Sequence, residues 1–156
     1  MMVNATWTMP TQTMRGNLVP VAFGTTISGV AVDIMIAAAG TLPTGVFVAL
    51  YDLAGNQLAV SADVKALANW NVTGLKSFPF TTPWVVTQDG AVYACILKNG
   101  VYGTTEPQIG GVAQNTGTGS ALGANAPAAV FQAGQATPPS PATLVANDSF
   151  QWFGLV

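Results

Sequence analysis

The apolar positions along this chain fall into short runs that alternate with period two and stop at turn-forming residues. Residues 27–37 show the pattern best: Val30, Val32, Ile34 and Ile36 share one face, with Ala31, Asp33, Met35 and Ala37 on the other. That is the repeat of an extended strand. Residues 46–53 are apolar on both faces, which predicts a strand that is central or covered. Ala54-Gly55-Asn56 has turn chemistry, and residues 57–61 return as its hairpin partner. Residues 91–98 predict another strong strand, closed by Asn99-Gly100, a residue pair favoured in tight hairpins. Residues 17–23 predict a first strand that Pro20 places at a sheet edge. Residues 74–80 and 83–86 add further extended segments, and 63–69 predict one helical turn with Asp63 as its N-cap.

The remaining stretches have a different grammar. Residues 1–16 are polar and rich in Met and Thr, with Pro10 in the middle. They read as an N-terminal arm, either disordered or docked on a neighbour through Trp7, Met9 and Met14. Residues 103–143 consist largely of Gly, Ala, Thr, Asn, Gln and Pro and predict a long loop. Loops of that length are uncommon in compact domains and serve function or assembly, or are disordered. The closing run from Phe150 to Val156 is aromatic and predicts a strand built into the sheet. Together these elements predict an all-β chain: an antiparallel two-sheet β-sandwich, jelly-roll-like, of about seven to nine short strands. The arm at 1–16 precedes one domain at 17–156, and the loop region at 103–143 lies before the last strand.

Charge changes the picture more than length does. Of 156 residues, 6 % are charged, against roughly 25 % in ordinary globular domains. No ionisable side chain occurs from Pro107 to Asn147. A free monomer with so little charge is poorly protected against self-association, whereas a subunit packed among neighbours needs less protection. Two readings fit: a subunit of an assembly, or a neutral secreted domain solvated by Thr, Asn and Gln. The net charge of −2, with four cations scattered along the chain, speaks against nucleic acid as a partner. No basic and apolar leader is evident at the start, and the apolar stretch 34–51 is interrupted by Gly40-Thr41-Leu42-Pro43-Thr44-Gly45. No membrane span is therefore expected.

Candidate chemistry is thin. The chain has no histidine, which removes the commonest general base and the usual zinc ligand. Cys95 is the sole cysteine and lies in an apolar run, so a buried, inert thiol is expected. Asp33, Asp52 and Asp89 are the only carboxylates that suit a glycosidase pair, but Asp52 precedes a turn and Asp89 sits in one, where Asp commonly serves the backbone. No catalytic residue, cofactor or metal ligand is assigned, and the chain is expected not to be an enzyme. The glycines at 110–111 and 117–119 lack the helix and Lys-Ser/Thr pair of a phosphate loop. Of the aromatic residues, Trp70 stands in Ala68-Asn69-Trp70-Asn71, a loop context that makes it the candidate surface contact for a glycan.

One combination of segments goes beyond composition. Residues 46–61 (VFVALYDLAGNQLAVS) are followed by 74–83 (GLKSFPFTTP), by 89–100 (DGAVYACILKNG) and by the closing 150–155 (FQWFGL). This set resembles a β-sandwich module of tailed-bacteriophage virion proteins, often labelled minor tail proteins, especially of phages that infect actinobacteria. The resemblance covers roughly residues 25–156 and departs at Ala94, where the module usually carries a second aromatic after the position of Tyr93. It implies a structural protein of the virion, made in the host cytoplasm and partnered by copies of itself and by other virion proteins. A tail-associated role is the first expectation. Capsid decoration on the phage head is the alternative, because the module is often part of a longer chain and here makes up nearly all of the sequence. A carbohydrate-binding module contacting the host surface is the second alternative.

Overall fold

The computed structural model describes residues 4–113, 129–146, 149–151 and 153–156. Two six-stranded sheets face each other, and every strand pairing is antiparallel. One sheet contains β1 (Asn4–Thr8), β3 (Thr26–Ile36), β6 (Gly74–Val85), β8 (Gln108–Ala113), β11 (Ser149–Gln151) and β12 (Phe153–Leu155). The other runs in the order β10 (Val145–Ala146), β9 (Ala129–Ala133), β2 (Thr13–Val21), β7 (Gly90–Asn99), β4 (Gly45–Tyr51), β5 (Gln57–Val60). The expected antiparallel β-sandwich is present.

The period-two pattern places the core. Val30, Val32 and Ile34 of β3 face Val46, Val48 and Leu50 of β4 and Val92, Ala94 and Ile96 of β7 across the sheets. The alternate residues of the second sheet are also buried. Ala49 and Tyr51, with Tyr93, Cys95 and Leu97, form a second cluster on its outer face. The strand that reads as apolar on both sides is therefore covered on both sides, by a sheet within and by residues 134–144 without. Those residues are held by hydrogen bonds that include three of 2.8 Å. The Tyr51 hydroxyl donates to the Pro139 carbonyl at 2.8 Å, the Ala142 N–H to the Gly55 carbonyl at 2.8 Å, and the Thr143 N–H to Gln132 Oε1 at 2.8 Å. Gly55 has a φ of +88°, and a Cβ there would collide with the Ala142 carbonyl, so the β4–β5 turn needs glycine twice over.

Several expectations change. Residues 4–16 are not an arm: β1 pairs with β8, and β2 pairs with both β7 and β9. Pro10 lies where the chain leaves one sheet for the other. Pro20 does not make β2 an edge strand. It sits beyond Asn17, where the pairing with β9 ends, so among the described residues only the β7 side has a partner there. The region 103–143 is not all loop, since it holds β8 and β9; its stretch 114–128 lies outside the described residues. Asn99-Gly100 ends β7, but the chain then crosses to the other sheet instead of forming a hairpin. The helical turn is a 3-10 helix at Leu67–Asn69 with no side-chain cap. Asp63 instead accepts the N–H groups of Val46 and Lys65, both at 3.0 Å.

Among the described residues the long strand β6 pairs only with β3 and forms an edge. It carries Pro79 and Pro83, which an interior strand would not tolerate. Phe78 and Phe80 point into the core, while Leu75 and Val85 are exposed.

Candidate binding groove at one end of the sandwich

The residues singled out in the sequence take up structural duties. Met9 is 4 % and Met14 1 % exposed. Met9 joins the inner core and Met14 the outer cluster, so neither is available as an anchor for a neighbour. Trp7 is half-buried, packs on the inner core and lies under the Arg15 guanidinium, 5.8 Å from ring centroid to Cζ, within cation–π range. Trp70 is completely buried. Its ring stacks on Phe78 with centroids 4.7 Å apart and planes at 15°, and its indole N–H donates to the Val64 carbonyl at 2.9 Å. Trp70 therefore has no face to offer a sugar. The flanking asparagines suggested a surface loop, but the short helix turns the indole inward. Trp152 lies outside the described residues.

Cys95 is fully buried beneath the 134–144 segment, and burial pushes its thiol far above the usual range. It stands opposite Gly16 in the ladder, where any Cβ would run into the sulfur. Burial likewise raises the Tyr51 and Tyr102 phenols. For Asp63, burial alone would raise the carboxyl. The hydrogen bonds from Val46 and Lys65, with the Lys65 ammonium 3.0 Å away, more than offset this and hold it below its ordinary value. Lys98 is buried at the end of β7 and pairs with Glu106, whose other oxygen accepts the Tyr102 N–H at 3.1 Å. Among the described residues no three of His, Cys, Asp and Glu gather as a metal site.

One feature of the surface does bring polar and aromatic groups together. Three turns meet at one end of the sandwich: 22–25 after β2, 52–56 after β4, and 86–89 before β7. Between the second and third of them lies a groove of about 530 Å³, lined by Asp52, Leu53, Trp84, Thr87, Gln88 and Asp89 over a floor that includes Val21, Leu58 and Val92. The register explains the meeting. Val21 pairs with Gly90 and Tyr51 with Tyr93, while Thr26 pairs with Val85, so strand ends from both sheets arrive at one level. Asp52 holds its own turn. Its Oδ1 accepts the N–H groups of Ala54 at 2.9 Å and Asn56 at 2.8 Å, and its Oδ2 accepts the Asn56 side-chain amide at 2.7 Å. Asp89 ties two turns together, accepting the Phe23 N–H at 2.7 Å through Oδ1. Both aspartates thus have the backbone roles expected of them. Their convergence on one groove, beside Trp84, was not legible, because it depends on the pairing of strands far apart in sequence. The available hint was Pro83-Trp84 just ahead of the Gln88-Asp89-Gly90 turn.

Comparison with family models, curated proteins and solved structures returns no match. No helix among the described residues is long and apolar enough to cross a membrane.

Proposed function

We propose that this chain is a non-enzymatic structural subunit of a bacteriophage particle, associated with the tail and packed against copies of itself and other virion proteins. The observation that carries the reading is how little cationic charge reaches the surface. Of the four Lys and Arg residues, Lys98 is buried and Arg15, Lys65 and Lys76 are half-buried, with Lys65 engaged by Asp63. Leu75 is meanwhile 72 % and Phe23 70 % exposed. A surface short of repelling charge and dotted with large apolar side chains suits a subunit that is covered in its working state. The resemblance in residues 46–61, 74–83, 89–100 and 150–155 supplies the virion. The partners bind elsewhere than through Met9 and Met14, which the fold itself uses.

Quantitative mass spectrometry of purified particles, referenced to the major capsid protein, tests the reading. A low copy number, far below that of the capsid protein, supports the tail. A near-stoichiometric value assigns the chain to capsid decoration instead, and absence from the particle refutes a virion role.

A further inference from the structure

We infer that the groove between the 52–56 and 86–89 turns is a binding site for a neutral oligosaccharide, with Trp84 as the stacking platform and Asp52, Gln88 and Asp89 as hydroxyl acceptors. The inference is independent of where the subunit is mounted, since it concerns this groove alone.

Three observations converge. The first is size: about 530 Å³ falls within the range of small-molecule sites. The second is chemistry. The groove combines an indole with two carboxylates and a side-chain amide. An aromatic ring offers its face to the C–H side of a sugar ring, while carboxylate and amide oxygens accept the hydroxyls at its edge. Asp89 Oδ2 has no partner among the described residues, and Asp52 Oδ2 has one, the Asn56 amide. Since each carboxylate oxygen accepts two bonds, both groove-lining aspartates retain free acceptor capacity. The third is charge. No Lys or Arg lines the groove, so the two carboxylates repel phosphorylated or uronic-acid chains and leave polyhydroxylated neutral ones as the fitting class. The backbone bonds to Asp52 and Asp89 fix these side chains before any ligand arrives, which lowers the ordering cost of binding.

The site is one of binding, not hydrolysis. Asp52 is immobilised by three donors from its own turn, an arrangement that holds an acceptor in place but does not leave it free to act as an acid or nucleophile.

The test uses the purified full chain. Neutral hexasaccharides of glucose, mannose and xylose are titrated by calorimetry and by quenching of tryptophan fluorescence, with an oligogalacturonate as the anionic comparison. Binding of at least one neutral chain and none of the anionic one is expected. Trp84→Phe and Trp84→Ala should weaken binding progressively, the latter by about tenfold. Gln88→Ala, in an exposed turn and away from the core, should weaken it by about threefold without moving the melting temperature. Asp89→Asn keeps the Oδ1 acceptor for Phe23 and tests the free oxygen. The inference is overturned if no neutral chain binds, if oligogalacturonate binds as tightly, or if Gln88→Ala and Trp84→Phe bind as the parent does.

Discussion

The two faces of the sheet built on β2, β7 and β4 are both dry, yet they are covered by different means. On the inner face, Val46, Val48 and Leu50 meet the side chains of a second sheet. On the outer face, Tyr51, Tyr93 and Cys95 lie under the irregular segment 134–144. Burial per residue is similar, since Leu50 and Tyr51 are both 0 % exposed. What differs is the backbone above them. A sheet is tied down by a ladder of bonds shared among many residues. The outer segment is tied at separate points: Gln135 to Gln12, Tyr51 and Gln57 to Pro139, Ala142 to Gly55 and Thr143 to Gln132. Equal dryness does not imply equal local stability, because a segment with few ties opens without unfolding the rest.

The sharpest way to break the comparison is to hollow out the inner side. Trp70→Ala should cost about 3–5 kcal/mol, read as a lower denaturant midpoint for the whole domain, because Trp70 joins the stack on Phe78 to the Val64 carbonyl. On the outer side, Gly16→Ala should cost about 1–3 kcal/mol through overpacking against Cys95. Adding Cys95→Ala should recover part of that loss, whereas additive losses in the double variant would show that the sulfur is not the obstacle. Tyr51→Phe should cost about 1 kcal/mol. Its sharper signature is local: amide exchange at Ala142 and Thr143 should quicken while β4 and β7 keep their protection. Uniform acceleration would mean that the outer cover is not a separate unit.

The smallest effect concerns the polar latch beside the inner core. The Asp63 carboxyl is held below its ordinary value, so the folded state binds that proton less readily than the unfolded chain. Its stabilising contribution is therefore complete above the unfolded value, near pH 4, and is lost as the pH falls through the lower folded value. A thermal melt series from pH 6 down to pH 2 should show Asp63→Asn losing less of its stability with acid than the parent.

Much of the fold was legible because burial and period two coincide. Residues 27–37 and 46–61 declare their strands, their faces and the turn at Gly55, and the both-sided apolarity of β4 foretells its double cover. The N-terminal segment was misread because Thr and Met interleave around Pro10, so neither β1 nor β2 shows a run of β-branched residues there. Trp70 was misread because composition places it in a loop, and only the tertiary chain path turns the ring inward. The groove was illegible for another reason. Asp52, Trp84 and Asp89 are ordinary turn and strand-end residues until strand pairing sets them side by side.

The edge strand β6 has a consequence for how a second chain could approach the molecule. Amide donors along an open strand invite another chain to extend the sheet, the first step toward fibrils. Most proteins deter this with lysine, which this chain largely lacks. Pro79 and Pro83 remove two donors from β6, so an incoming strand finds the ladder interrupted. A lateral contact along this border would then form through protruding groups such as Leu75 and Val85, a junction able to come apart again where a shared sheet would be locked.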